Sequence, residues 1–302
     1  MDIKNEFSWS QSRRRMFNEC RRKYFYNYYG FWGGWSYTAD RRTREIYILK
    51  KLQTLPMFLG DSVHRTIENY LNELRKRRAV LLSTLVKQFR GFMSYGFEES
   101  RGGKYRVNPK KYCGLLEHEY DTPVSEGDLD DLILQGELCL KNFYNSKVLN
   151  EINTMDINDW LPIEQFQDFS FEGTTIYVKI DFALVHEGKT IIYDWKTGKT
   201  AETDGTQLAA YALYATKKWG AKLPITTREY NCRFDQLNES KVGEKEIEEV
   251  KDEIRKSIAE MKELLFNPGS NAAREEDFER CKGPQCDYCN FKRVCFEKEA
   301  KD

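Results

Sequence analysis

The sequence lacks the long apolar segments that are typical of membrane and secreted proteins. No run of about 18 apolar residues occurs among the 302 residues, so no transmembrane helix is expected. Residues 1–15 lack the apolar core of a signal peptide, so we expect an intracellular, cytoplasmic protein that does not associate with membranes. In that reducing compartment the 8 cysteines are not expected to form disulfides, which makes clustered cysteines candidate metal ligands.

The sequence also lacks net charge, internal repeats and low-complexity segments. Its 48 basic and 48 acidic residues are unevenly distributed: residues 1–111 contain 24 basic and 10 acidic residues, and residues 112–302 contain 24 and 38. Basic runs at residues 13–15, 21–23, 41–42 and 75–78 alternate with aromatic residues, which suits the phosphates and unpaired bases of single-stranded nucleic acid. The alternative is that these runs are solvated helix faces and that the aromatic residues belong to the core.

The main chemical motif lies in a predicted β-hairpin. Two β-rich runs, residues 176–185 and 190–196, flank a turn, and Asp181 lies on the first of them. On the second strand side chains alternate, so Asp194 and Lys196 share a face with Ile192, opposite Ile191, Tyr193 and Trp195. Two carboxylates beside an amine suit hydrolysis of a phosphodiester with Mg²⁺, whereas a charged pair alone is often a solvated face.

A helix is predicted directly after this hairpin. Asp204 is its expected N-cap and Gln207 its third helical position, as in a capping box. Gln207 and Tyr211 are four residues apart and therefore lie on one helix face above the strand end. The alternative is a core tyrosine beside a capping glutamine.

Helical periodicity predicts most of the remaining elements. Ser8 or Ser10 caps a helix over residues 9–28 with Cys20 on its inner face, and a second helix from Gly60 has His64 beside its apolar stripe. Further helices over residues 79–95 and 127–152, separated by a linker at residues 100–120, form a predicted helical insertion. Strands are expected at residues 163–171, which include Glu164, and 227–237, and a long helix follows with an apolar stripe from Ile247 to Leu265.

The cysteines cluster near the C-terminus. Cys286, Cys289 and Cys295 form a C-x₂-C-x₅-C pattern, which indicates a metal site. The spacing leaves the fourth ligand open. Cys281 would complete a compact, zinc-ribbon-like site.

These motifs resemble the PD-(D/E)XK nuclease superfamily, and in particular its RecB-like branch, which includes AddB and the CRISPR-associated RecB-like exonucleases. The resemblance rests on His64 in Gly-x-x-x-His-x-x-x-Glu, Asp181, Asp194-Trp195-Lys196 and Gln207-x-x-x-Tyr211. It implies an α/β, restriction-endonuclease-like fold, with a central mixed sheet flanked by helices. The implied catalytic residues are Asp181, Asp194, Lys196, His64, Gln207 and Tyr211, and the implied ligands of Mg²⁺ or Mn²⁺ are His64, Asp181, Asp194 and Trp195.

The same resemblance extends to the cysteines. Ser8-Trp9-Ser10 with Cys20-Arg21-Arg22-Lys23-Tyr24 is similar to the N-terminal helix whose cysteine completes a [4Fe-4S] cluster in those nucleases. It implies that Cys20, Cys286, Cys289 and Cys295 hold the cluster as a clamp joining the two termini. Glu164 resembles an acidic position of the family. Residues 178–180, Val-Lys-Ile, depart from the family pattern, in which a small residue is common before the aspartate.

We therefore predict one composite nuclease domain over residues 1–302. Its parts are a basic N-terminal helix (1–59), a helical region (60–160), the nuclease core (161–240) and a C-terminal helix with the cysteine-rich segment (241–302). The expected activity is metal-dependent DNA hydrolysis, as an exonuclease on single strands or DNA ends in recombination, DNA repair or CRISPR or phage DNA processing, with partner proteins of such complexes. The alternative is a non-catalytic nucleic-acid-binding subunit with a zinc or iron-sulfur module.

Overall fold

The computed structural model describes residues 4–199 and 205–296 of the chain. The expected helix cap Asp204 lies outside the described residues. None of the helices in the described ranges is both long and apolar enough to span a bilayer.

Within these described ranges, seven strands form two mixed sheets. The first sheet has the order β1-β3-β2, and the second has the order β4-β5-β6-β7. The strands are β1 (Ser8–Trp9), β2 (Phe166–Phe171), β3 (Thr174–Lys179), β4 (Phe182–His186), β5 (Lys189–Lys196), β6 (Ile225–Asn231) and β7 (Gln236–Val242). Strand β1 runs parallel to β3 and β5 runs parallel to β6, whereas the other pairs are antiparallel.

Helices flank both sheets. They are α1 (Gln11–Glu19), α2 (Arg21–Phe25), α3 (Arg41–Leu49), α4 (Leu55–Arg75), α5 (Leu82–Arg101), α6 (Lys104–Val107), α7 (Leu116–Glu119), α8 (Glu126–Asn145), α9 (Lys147–Thr154), α10 (Gly205–Lys218), α11 (Glu244–Glu263) and α12 (Lys292–Phe296). A π-helix, Tyr26–Gly30, follows α2. Mixed sheets with helices on both sides agree with the predicted restriction-endonuclease-like architecture.

Strand β5 separates two hydrophobic cores, as its predicted alternation requires. Ile192 packs with α10, α11 and the first sheet. Ile191, Tyr193 and Trp195 pack on the opposite side against α4, α5, α8 and α9. This second core is the predicted helical insertion, which covers one face of the second sheet and brings α4 to the edge where β5 ends.

The prediction of one continuous strand over residues 176–185 is wrong. The segment divides at Ile180 and Asp181 into β3 and β4, which belong to different sheets. At the break, the backbone N–H of Glu164 donates to the carbonyl of Asp181 over 3.1 Å. Asp181 therefore lies between two strands, and not on one, which places its side chain where the sheets meet.

The predicted strand over residues 227–237 also divides. Strands β6 and β7 pair antiparallel with Asn231 opposite Gln236. Asn231 ends β6, and its side-chain oxygen accepts hydrogen bonds from the N–H groups of Arg233 and Phe234. This Asx-type turn stabilises the reversal.

The predicted helix over residues 9–28 is interrupted at Cys20. Ser10 caps α1 as expected, but Cys20 is extended, with φ −163°, and α2 begins after it. The interruption leaves the N–H of Arg22 free to donate to the carbonyl of Glu279, 3.0 Å away, in the C-terminal segment. A contact distant in sequence therefore replaces a local helical hydrogen bond.

The aromatic residues of α2 and of the π-helix that follows it belong to the core. Tyr24 and Tyr26 are fully buried, and Arg13 is 3% exposed beneath them. The guanidinium of Arg13 donates to the hydroxyls of Tyr24 and Tyr29 at 2.9 and 3.0 Å. The alternative interpretation, that these aromatic residues pack in the core, is therefore confirmed for this helical segment.

Candidate active site

One cleft of about 780 Å³ at the end of β5 is lined by His64, Asp181, Asp194 and Lys196, and the buried Glu164 contacts His64 from outside this lining. His64 comes from α4, Glu164 from the segment before β2, and Asp181 from the break between β3 and β4. Asp194 and Lys196 come from the last residues of β5 and share a face because one residue separates them. The two sheets and α4 therefore meet at a single polar site.

His64, Glu164 and Asp181 form the tightest group. The His64 Nδ1 atom lies 3.1 Å from Glu164 Oε1 and 3.5 Å from Asp181 Oδ1. One ligand atom of each residue lies within 4.8 Å of the other two. An imidazole nitrogen with two carboxylate oxygens at this spacing is a suitable donor set for one divalent cation.

The charges of this group stabilise one another. Burial opposes the imidazolium of His64, but the carboxylates of Asp181 and Glu164 outweigh it and hold the pKa of His64 well above its usual value. Burial likewise opposes the charged form of Asp181, and the neighbouring His64 lowers the pKa of that carboxyl nonetheless. Without a cation, the histidine proton supplies the positive charge that the carboxylates require.

Asp194 lies beside this group, with a different set of partners. Its Oδ2 atom is 2.5 Å from the ammonium of Lys196, and its Oδ1 atom accepts a hydrogen bond of 3.1 Å from Gln207 Nε2. Burial, and then the charge of Asp181, raise the pKa of Asp194 to about 7 despite Lys196. Because its pKa is near neutral, the Asp194 carboxyl can exchange its proton for a metal cation.

Lys196 remains charged in this environment. Burial disfavours its ammonium, but Asp194 and then Glu229, whose Oε1 is 3.7 Å away, raise its pKa above the usual value. A protonated Lys196 cannot accept a proton from water. It can offset negative charge that develops on a phosphate.

Gln207 and Tyr211 lie together on α10, as their spacing predicts. Gln207 Nε2 donates to the Tyr211 hydroxyl over 2.6 Å as well as to Asp194. Burial, together with the charges of Asp194 and Asp181, raises the pKa of Tyr211 well above its usual value. Its hydroxyl therefore stays protonated beside the carboxylates.

Trp195 occupies a different position from the other predicted metal ligands. Its indole is 1% exposed and packs in the second core against Phe143, on the face opposite the cleft. An indole offers only a donor, so only the main-chain carbonyl of Trp195 could bind a cation. Its backbone N–H donates to Asp181 Oδ2 over 2.7 Å, which orients that carboxylate.

Sequence reasoning gave too little weight to three further charged residues. Glu164 is one of the three clustered donors, and its second oxygen pairs with Lys179 at 2.6 Å. Glu229 lies on β6 opposite Asp194 in the parallel register. The sequence contains a signal for Glu229, because polar residues alternate along β6 at Thr227, Glu229 and Asn231. The structure buries all three.

The predicted cluster cysteines lie around one small space but do not form a tight donor group in the part of the chain that the structure describes. Cys20, Cys286, Cys289 and Cys295 surround one small space between α2 and the C-terminal segment, and Cys281 reaches the same space. Burial raises the pKa of Cys289 to about 11 and also raises that of Cys295. Among the described residues, no three of these sulfurs lie within 4.8 Å of one another.

Ion pairs join the same two segments independently of the thiols. The carboxylate of Glu275 forms ion pairs with Arg22 at 2.9 Å and with Arg42 at 3.0 Å. It also accepts a hydrogen bond of 2.9 Å from the hydroxyl of Tyr26. The three donors come from the N-terminal elements, whereas Glu275 comes from the C-terminal segment. The two ends of the described chain are therefore packed together.

One comparison with known proteins identifies a nuclease family. The family model described as the PD-(D/E)XK nuclease superfamily matches residues 8–296. No curated protein matches the sequence. Among solved structures, one named "Putative exonuclease" from Eubacterium rectale is 13% identical, with a TM-score of 0.48, over 95% of this chain and 88% of that chain. SSO0001 is 18% identical with a TM-score of 0.29, over 59% of this chain and 77% of that chain.

Proposed function

Because this chain belongs to the PD-(D/E)XK nuclease superfamily, we propose that it is a metal-dependent DNA nuclease of the RecB-like branch. It hydrolyses phosphodiester bonds as an exonuclease on single strands or DNA ends. The observation that carries the proposal is the pairing of Lys196 with Asp194 at 2.5 Å in the same cleft as His64 and Asp181, which form a donor group with the buried Glu164. A purely binding module has no need for a buried, costly arrangement of this kind.

The donor set of the cleft suits Mg²⁺ or Mn²⁺. Asp181 and Asp194 supply hard oxygen ligands, Glu164 adds a third carboxylate, and the imidazole of His64 tilts the choice toward Mn²⁺. Trp195 contributes through its carbonyl if it contributes at all. When bound, the cation polarises the phosphate and lowers the pKa of a coordinated water.

The remaining polar residues then have distinct roles. Lys196, held as an ammonium by Asp194 and Glu229, offsets the negative charge that grows on the phosphate in the transition state. Gln207 fixes the orientation of Asp194 through its hydrogen bond, and Tyr211 holds Gln207 in place. Gln207 and Tyr211 are therefore positioning residues.

A cleavage assay tests this function. Protein is incubated with 5′-labelled and 3′-labelled single-stranded and duplex DNA in Mg²⁺, Mn²⁺ or EDTA. We expect cleavage that requires a divalent cation, favours single strands or frayed ends, and releases short products from one end. If neither cation supports cleavage of DNA or RNA, the chain is a nucleic-acid-binding subunit instead.

We further propose that Cys20, Cys286, Cys289 and Cys295 hold a [4Fe-4S] cluster. Four thiols around one space between the termini supply the right donors. Four sulfurs on one zinc ion lie about 3.8 Å apart at tetrahedral Zn–S distances of about 2.3 Å. Each thiolate of a [4Fe-4S] cluster binds a different iron, so its four sulfurs stand farther apart than those on one zinc ion. The support for the cluster is the donor set itself, Cys20 with Cys286, Cys289 and Cys295 around one space.

The cluster would reinforce a clamp between the chain ends. Residues 1–59 and 241–302 contribute its two sides, and residues 60–160 and 161–240 supply the helical region and the nuclease core of one composite domain. DNA is the proposed partner. Processing of DNA ends in recombination, repair or CRISPR or phage systems, with partner proteins of such complexes, is the proposed context.

A further inference from the structure

A second cavity, of about 1000 Å³, adjoins the active-site cleft. Helices α4 and α5 and the segment of residues 109–114 form its walls. Asp61 and Arg65 line both this cavity and the cleft that contains His64. These three residues lie within about one turn of α4, so the two spaces lie side by side across that helix. We refer to the second cavity as the groove.

The second cavity carries an excess of available positive charge. Lys51, Lys110 and Lys111 are exposed along it, and none of them forms an ion pair with a carboxylate in the part of the chain that the structure describes. Its acidic residues are Asp61, which accepts a hydrogen bond of 2.6 Å from Gln53, and the buried Glu99, which accepts one of 3.4 Å from the N–H of Cys113. With Arg65, four cationic side chains line the cavity against these two carboxylates. The groove therefore attracts anions.

Aromatic rings lie among these cations. Tyr95 is 65% exposed on α5, and Phe92 and Tyr112 are partly exposed beside it. The guanidinium of Arg65 lies 4.1 Å from the centroid of Phe92, and the ammonium of Lys111 lies 5.0 Å from that of Tyr112. Alternating rings and cations bind single-stranded nucleic acid, because bases stack on the rings while phosphates contact the cations.

Gly91 provides a separate indication that the groove is kept open. It lies in the interior of α5 and lines the cavity, and a Cβ atom added there would meet nothing within 4 Å. Glycine in a helix interior costs about 1 kcal/mol relative to alanine. Packing within the described part of the chain does not require glycine at this position, and the open backbone there leaves room for a ligand to approach.

We propose that this groove binds the single-stranded segment of the substrate that extends away from the scissile phosphate. The assignment of the scissile position rests on the proposed nuclease function, whereas the binding of the strand does not. Single strands are favoured over duplex because only unpaired bases expose faces for stacking on Tyr95, Phe92 and Tyr112.

Binding without cleavage tests the groove. Fluorescence anisotropy in EDTA measures the affinity for fluorescein-labelled oligothymidylates of increasing length and for a blunt hairpin duplex. The variant Lys110→Glu with Lys111→Glu should bind oligothymidylate at least tenfold more weakly. Its plot of log K against log salt should lose a slope of about 1.4, at about 0.7 for each lost phosphate contact on single strands.

Two further variants and a control complete the binding test. Tyr95→Ala should weaken binding about fivefold or more through lost stacking. Gly91→Trp should weaken binding by obstructing the groove. Gly91→Ala is its control, because it changes the same helix position without filling the groove. The charge-matched control is Lys217→Glu with Lys256→Glu, two exposed lysines outside both cavities. Equal effects of control and groove variants, or affinities unchanged in the groove variants, would overturn the assignment.

A small substrate separates the groove from the chemistry. Thymidine 5′-monophosphate p-nitrophenyl ester reaches only the catalytic cleft, so groove variants should hydrolyse it at the wild-type rate while losing cleavage of long strands. If the wild type hydrolyses neither substrate, the proposed nuclease function fails, but the anisotropy data still decide whether the groove binds the strand. Loss of small-substrate hydrolysis in the groove variants would contradict the separation of the two sites.

Discussion

The backbone N–H of Trp195 donates a hydrogen bond of 2.7 Å to Asp181 Oδ2. Trp195 is the middle residue of the motif on β5, and Asp181 lies at the break between β3 and β4. This contact leaves Asp181 Oδ1 facing His64 at 3.5 Å. The strand that carries Asp194 and Lys196 thus also orients the neighbouring carboxylate, which couples the two motifs through the backbone.

The first prediction concerns Lys196. Lys196→Gln should lower the rate of DNA cleavage by about 10²–10³, because one well-placed electrostatic group typically contributes that much. Binding of oligothymidylate should change only a few-fold, since the ammonium is engaged with Asp194 and Glu229 before substrate arrives. Single-turnover cleavage and anisotropy measure the two quantities.

Asp194→Ala extends this prediction to a proposed metal ligand. It should abolish cleavage at least as completely and weaken Mn²⁺ binding, whereas Lys196→Gln should retain the cation. If Lys196→Gln loses DNA binding in proportion to cleavage, the ammonium acts in substrate binding and our assignment of its role is wrong.

The second prediction concerns Glu164, whose part in the site the sequence only suggested. Glu164→Gln should weaken Mn²⁺ binding by about 10- to 100-fold, as loss of a ligand or of a group that orients one typically does. Asp168→Asn on β2 is the matched control, because that side chain is exposed. Isothermal titration calorimetry with the inactive Lys196→Gln background compares them, and equal affinities would remove Glu164 from the cation site.

The third prediction is that cation affinity rises with pH. Asp194 must lose its proton to bind a cation, and its pKa is about 7, so affinity should fall as pH falls through that value. His64 also holds a proton that the cation must displace, because the pKa of His64 is raised by Asp181 and Glu164 against the effect of burial. Loss of the proton from Asp194 and loss of the proton from His64 therefore both make the cation affinity rise with pH.

Calorimetric titration of Mn²⁺ at pH 6, 7 and 8 measures this dependence. The affinity should change by about tenfold per pH unit for each proton displaced. Lys196→Gln is informative here, because loss of the ammonium that lowers the pKa of Asp194 should move the dependence to higher pH. A pH-independent affinity would show that neither proton is displaced.

The motif on β5 was predictable because side chains on a strand alternate strictly. That regularity placed Asp194 and Lys196 on one face and Trp195 in the opposite core from sequence alone. Gln207 and Tyr211 followed from the equally regular spacing of a helix. Local periodicity is therefore sufficient where the functional side chains lie within one element.

The contributions that cross between elements were not predictable in the same way. Polar and apolar residues alternate from Lys179 through Phe182 as they would in a continuous strand, so the local sequence does not indicate the change of sheet at Asp181. The interruption at Cys20 likewise depends on the carbonyl of Glu279, which is more than 250 residues away. In both cases a tertiary hydrogen bond outweighs local propensity.

The fourth prediction concerns the packing of the helical region. A Cβ atom at Gly136 on α8 would lie 2.0 Å from Phe89 Cζ on α5, so Gly136→Ala should destabilise the protein by about 1–3 kcal/mol. Gly91→Ala, on the open side of α5, should instead stabilise it by up to about 1 kcal/mol. Chemical denaturation measures both, and similar effects of the two substitutions would contradict the α5–α8 contact.

The last prediction distinguishes the two ligand sets for the cysteines. If Cys20, Cys286, Cys289 and Cys295 hold [4Fe-4S], anaerobically purified protein should be brown, should contain about four irons per chain, and should bleach in air or chelator. Cys20→Ser should then lose colour and unfold more readily, because the cluster joins α2 to the C-terminal segment, whereas Cys281→Ser should keep both properties. A zinc site made of Cys281, Cys286, Cys289 and Cys295 reverses the pair of outcomes and gives colourless protein with one zinc. The ion pairs of Glu275 with Arg22 and Arg42 remain in both variants, so a difference in stability between them reports the lost thiolate and not the loss of the interface. A fully metallated Cys20→Ser protein beside a metal-free Cys281→Ser protein would refute the cluster.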